Sequence, residues 1–101
     1  MKLKPIPFAQ IRAGEKTVEL RLNDEKRRRI RVGDTITFTE LGTGEMLTVC
    51  VKALHPFESF AALFEALGTD CCGGSVDMDA YYSPENQKKW GALGIEIGAH
   101  R

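Results

Sequence analysis

The sequence has no apolar run near the roughly 18 residues that a membrane-spanning helix needs, so no span is expected. Its opening Met1-Lys2-Leu3-Lys4-Pro5 lacks the apolar stretch of an export signal, so no signal peptide is expected either. It has only three cysteines, an odd number, and Cys71 and Cys72 are adjacent. That excludes the paired framework of a small secreted domain. Reduced thiols and a cytoplasmic location are the expectation. Formal net charge is zero, from 14 basic and 14 acidic residues. A protein gripping duplex phosphates over a broad face needs an excess of cations. Repeats and low-complexity tracts are missing as well.

Metal and cofactor signatures are equally sparse. His55 and His100 stand far from Cys71-Cys72, and no set shows zinc-ligand spacing, so no metal is expected. Gly73-Gly74 lacks the Lys-Ser/Thr that completes a phosphate loop, and no other cofactor motif is present. No Ser-His-Asp arrangement is readable.

At 101 residues, 43% apolar and 28% charged, the chain has the length and composition of a single domain spanning 1–101. Pro5 and Pro7 open a short helix over Phe8 to Ala13, stopped by Gly14. Thr17 to Leu22 alternates: Val18, Leu20 and Leu22 face one way, and Thr17, Glu19 and Arg21 the other. Period two argues a half-buried strand. Val32-Gly33-Asp34 turns into a strand over Thr35 to Glu40, and a hairpin returns over Met46 to Leu54. Phe60, Leu63, Phe64 and Leu67 recur at helical spacing, so Glu58 to Leu67 reads as an amphipathic helix. Ser83-Pro84-Glu85 begins another helix that ends near Trp90-Gly91. Leu93 to Ile97 is the last strand. Strands joined by both hairpin and helix predict an α+β fold, with the apolar strand faces sharing one core.

The richest segment is Gly14-Glu15-Lys16-Thr17-Val18-Glu19-Leu20-Arg21, followed by Gly33-Asp34. With Lys89-Trp90-Gly91-Ala92-Leu93-Gly94-Ile95 near the end, it resembles the ASCH family (activating signal cointegrator homology). The resemblance implies a PUA-like mixed β-barrel with about three short peripheral helices. It also implies a cleft lined by the first helix, the first long strand and the loop after it, and binding of RNA. Some bacterial members are amidohydrolases that deacetylate N4-acetylcytidine. There a Lys at the position of Lys16 acts as base, and a Thr at the position of Glu19 is the nucleophile. If this chain is an enzyme, Lys16 and Glu19 are therefore its catalytic candidates. A carboxylate does not take over a hydroxyl's acyl transfer without a changed mechanism. No residue here matches the family's acidic proton donor. Whether the chain is an enzyme stays open at this point.

The residues allow two readings beside this. Glu19 and Arg21 are parallel neighbours on one strand face, with Lys16 at its entrance. They form either a self-satisfied ion-pair set or a ligand-reading patch, with Glu19 accepting from an exocyclic amine. They should meet on a concave, partly exposed surface. Lys26 to Arg31 is either a solvated loop or a phosphate-contacting rim, with Arg27 and Arg28 foremost. Tyr81 and Tyr82 are candidate platforms for unstacked bases, and Trp90 is a core residue or a third. The predicted ligand set is thus Lys16, Thr17, Glu19, Arg21, Arg27, Arg28, Tyr81 and Tyr82. The predicted partner is RNA or a nucleoside-like small molecule, with an acylated-nucleoside amidohydrolase as the alternative.

Overall fold

A computed structural model describes residues 1–99; His100 lies outside them. The chain runs β1 (Lys2–Leu3), α1 (Pro5–Arg12), β2 (Val18–Leu22), β3 (Thr35–Glu40), β4 (Met46–Phe57), α2 (Phe60–Leu67), α3 (Pro84–Trp90) and β5 (Ala92–Ala99). Short 3-10 turns occupy Arg27–Arg29, Asp70–Cys72 and Met78–Ala80. The strands form one sheet in the order β1-β3-β4-β5-β2. Only β1 and β3 pair in parallel, so the sheet is mixed, and it curls into a half-barrel. The α+β, PUA-like class read from the sequence is the one observed.

Local chemistry explains most boundaries. Pro5 takes the first helical position, where its missing N–H costs nothing, so α1 starts earlier than Phe8. Ser59 caps α2 through a 3.0 Å bond from Ala62 N–H. Ser83 does the same for α3, accepting from Asn86 N–H at 3.2 Å. Strand β4 outruns the expected Leu54 and passes through Pro56. This is tolerated because β3 leaves β4 after Cys50, so Pro56 has a partner strand on one side only. A register shift between Val51 and Ala53 bends the strand there.

The expectation of one common core needs correction, because the apolar residues divide between the two sides of the sheet. Phe8, Ile11, Ile36, Phe38, Val49, Val51, Leu93, Ile95 and Ile97 fill one core. Val18, Leu20, Leu22, Phe60, Leu63, Cys72, Met78 and Ala92 fill the other, under α2. Gly94 makes the second possible: a Cβ there would sit 3.1 Å from Val18 and 3.3 Å from Leu63. The face of β2 opposite its leucines therefore turns inward, toward the first core. Glu19 lies across from Ile95, and Arg21 across from Leu93. Among the described residues, no helix is long and apolar enough to cross a membrane.

Candidate functional site

The two edge strands of the half-barrel are β1 and β2. Between them the sheet does not close, and a cleft of about 950 Å³ opens at this seam. That volume matches the upper range of small-ligand sites. Its walls are residues 2–7, 10, 16, 19–21, 41, 72–73, 75–78 and 80–82. Arg21 spans the seam: its Nη2 donates to Lys2 O at 3.4 Å.

The floor is a three-residue ion cluster centred on Glu19. Its Oε1 stands 3.1 Å from Lys16 Nζ and accepts from Leu20 N–H at 3.0 Å. Its Oε2 accepts from Arg21 Nη2 at 3.1 Å. The Leu20 amide needs this partner because it faces the open edge of β2. The bond from Ile97 N–H to Thr17 O sets the odd-numbered residues of β2 toward β5. The carboxylate thus satisfies an orphan donor of the sheet edge as well as two cations.

Burial differs from the partly exposed surface expected. Lys16 is 7% exposed and Glu19 3%. The alternation along β2 was read correctly, but its polar face points into the barrel instead of into solvent. The Asp70–Cys72 turn closes over it. Thr17 N–H donates to Cys71 O at 2.8 Å, and Gln10 Nε2 donates to Gly73 O at 3.2 Å. Gly73, at φ 88°, lies against both Gln10 and the Lys16 stem; a Cβ would come within 2.6 Å of Gln10 Oε1. The left-handed backbone angle there favours glycine.

The cations retain unused donors. Arg21 Nε is buried without an acceptor among the described residues. Four cations (Lys2, Lys4, Lys16, Arg21) line the cleft against two acids, Glu19 and Asp77. Asp77 is engaged locally, accepting from Asp79 N–H at 3.1 Å. The Cys72 thiol, 1% exposed, also lines the cleft. Burial, and then the adjoining Cys71 sulfur 3.8 Å away, push its pKa up to about 12. It is a neutral thiol at neutral pH, not an activated nucleophile.

Two aromatics shape the mouth. Tyr81 is 53% exposed, with Lys4 Nζ 5.3 Å above its ring. Tyr82 is half-buried and stacks near-parallel on Phe60, centroids 6.2 Å apart. The structure thus gathers Lys16, Glu19, Arg21, Tyr81 and Tyr82 around one cleft.

It does not bring Thr17, Arg27 or Arg28 to the lining. Thr17 is exposed and serves β2 through its backbone. Arg27 is held by Asp24 at 2.7 Å, an i, i+3 pairing that the 3-10 turn creates. Arg28 donates to Asn23 O at 2.7 Å and lies over the Trp90 ring at 5.6 Å. Within the basic run, Arg27 and Arg28 are thus engaged by partners in or beside their own turn. Gln10, Cys72, Gly73 and Met78 also line the cleft, outside the ligand set expected from the sequence. Gly73 was the available signal, since a glycine in a loop can mark a close approach; Gly74 has open space around it. Among the described residues, no group of three or more His, Cys, Asp or Glu side chains is placed to hold a metal.

Comparison with known proteins places these features. The family model described as ASCH domain matches residues 1–100. The crystal structure of hypothetical protein PH0355 superposes with a TM-score of 0.82 at 34% identity, covering 96% of this chain and 94% of that one. The solution NMR structure of protein PF0455 from Pyrococcus furiosus gives 0.70 at 31% identity, covering 96% of each chain. No curated protein matches.

Proposed function

The chain belongs to the ASCH domain family, and from that premise we propose that it is a single-domain binding module whose seam cleft takes RNA or a nucleoside-like ligand. One observation carries this reading: the cleft combines a buried cationic floor with an exposed tyrosine at its mouth. Cations meet phosphate or carbonyl oxygens, and a tyrosine ring offers any base a stacking face. The contacts we assign to ligand are Lys16, Arg21, Tyr81 and Tyr82, with Glu19 holding the two cations in place.

Against this, the amidohydrolase alternative finds little support. Lys16 is paired with Glu19, so it is not a free base. The Cys72 thiol beside it stays protonated. Glu19, at the nucleophile position, is held by Lys16, Leu20 N–H and Arg21, so neither it nor Cys72 offers the activated nucleophile that acyl transfer needs.

The test is a thermal-shift and titration screen with nucleosides and short single-stranded RNAs at low and moderate salt. Binding is expected to be modest and salt-sensitive. Each phosphate engaged adds roughly 0.7 to the log–log salt slope for single strands. Incubation with N4-acetylcytidine should release no cytidine. Turnover abolished by Lys16→Ala would reverse the assignment.

A further inference from the structure

We infer that the cleft floor takes a terminal phosphate monoester: the group it recognises is an anionic oxygen, not a base amine. The inference rests on the nucleic-acid reading above and narrows it to a ligand class.

The donor and acceptor inventory of the floor is one-sided. Glu19 is the acceptor there, and three donors already occupy it: Lys16 Nζ, Leu20 N–H and Arg21 Nη2. At 3% exposure, with three donors already on it, the carboxylate has little acceptor capacity left for a ligand N–H. The donors, in contrast, are in surplus. An ammonium has three N–H groups and a guanidinium five. Lys16 meets one carboxylate oxygen, and Arg21 Nε has no acceptor among the described residues. A ligand reaching this floor meets donors.

The charge is one-sided too. Buried Lys16 and part-buried Arg21 share one carboxylate, leaving the cluster at +1 by formal count. Unpaired buried charge is costly, so the floor favours a partner that brings negative charge. Lys2 and Lys4 add two further cations to the walls, and Asp77 is already bound to its own turn. Among the described residues no histidine lines the cleft. The Cys72 thiol stays neutral. One titratable group does lie near the cluster: the Met1 ammonium, whose pKa burial and then the Arg21 charge lower from the ordinary 8.0. It gains positive charge as pH falls, which favours an anion, so a loss of phosphate binding toward low pH comes from the ligand's own protonation and not from this group.

Depth selects the end of a chain over its middle. Lys16 is 7% exposed. A chain end reaches such a floor by passing the rim once, whereas an internal diester would require the strand to enter and leave. A monoester also carries close to two charges above its second ionisation near pH 6, against one for a diester. The source can be a free mononucleotide or a 5′-phosphorylated RNA end.

Calorimetric titration of the full chain separates these cases. The ligands are the common ribonucleosides, their 5′-monophosphates, inorganic phosphate, and one short RNA with either a 5′-phosphate or a 5′-hydroxyl. At least one monophosphate should bind about tenfold or more tighter than its nucleoside, the gain of a charge-assisted contact set. The margin should shrink as pH falls from about 7.5 to about 5, through the phosphate's own ionisation. Inorganic phosphate should compete with the monophosphate. Arg21→Gln should erase the margin, and the pH series on the unmodified protein stands even if that variant folds poorly. A gain confined to mononucleotides assigns the free nucleotide; a gain shared by phosphorylated RNA assigns the RNA end. Equal affinity for nucleoside and monophosphate, with no pH dependence, overturns the phosphate site and leaves the nucleic-acid reading standing. No binding by any nucleoside, nucleotide or RNA overturns that reading itself.

Discussion

Lys16 Nζ lies 3.1 Å from Glu19 Oε1, and both side chains are buried at the seam of an open barrel. A pair in solvent would contribute about 0–1 kcal/mol, but a buried charge left without its partner costs far more. Glu19→Ala strands two cations and the Leu20 N–H at once. It should lower stability by about 3–5 kcal/mol in urea denaturation. Lys16→Met should cost less, because Arg21 and Leu20 N–H still hold Glu19. Similar small losses in both variants would place the cluster in solvent.

Tyr81 separates binding from folding. It is more than half exposed, so Tyr81→Ala should leave the melting temperature nearly unchanged. Stacking on such a ring is worth about 1–3 kcal/mol per base, so RNA affinity should fall by that amount. Unchanged affinity in an equilibrium titration would remove Tyr81 from the ligand set.

Cys72 gives a pH prediction with a definite sign. Its thiol moves from an ordinary 9.0 in the unfolded chain up to about 12 in the fold. Between those values the unfolded chain loses the proton first. The contribution is therefore intact below about pH 9 and declines as pH rises toward 12. Stability of the wild type should drop over that window more steeply than that of Cys72→Ala. Alkylation near neutral pH should label Cys72 far more slowly in the native state than after denaturation. Parallel stability curves for the two proteins, or equal labelling rates, would contradict the burial.

Gly91 fixes the corner between α3 and β5. It sits at φ 76°, and an added Cβ would stand 2.6 Å from Phe57 O, a backbone atom that cannot swing aside. With ψ at −167° this is a region essentially reserved for glycine, and the strain alone costs about 1–3 kcal/mol for another residue. Gly91→Ala should thus exceed that in thermal or urea unfolding. Gly42, with open space around it, should tolerate alanine with the strain cost alone.

Much of this was legible in the sequence for physical reasons. Thr35–Glu40 and Pro84–Trp90 fall where alternation, Ser83 and Pro84 put them. The facing of β2 was legible as two sets, but alternation does not say which set is outside. Two cores on opposite sides of the sheet made both sides interior, and that buried Glu19. Lys2–Leu3 is too short for any period to show. Arg27 and Arg28 stood out as charge, yet their partners Asp24, Asn23 and Trp90 arise from a turn and a distant helix end. The cleft itself comes from non-local closure: residues 2–7, 19–21 and 72–82 meet only once the sheet curls.

The most direct test of the cleft is a backbone amide shift map of the labelled protein titrated with a short single-stranded RNA. The largest, saturable shifts should fall on Glu19, Leu20, Arg21, Gly73, Tyr81 and Tyr82, and they should weaken in Arg21→Gln. Shifts concentrated instead on Lys26 to Arg31, or no saturable shift at low salt, would contradict the assignment of the cleft as the binding site.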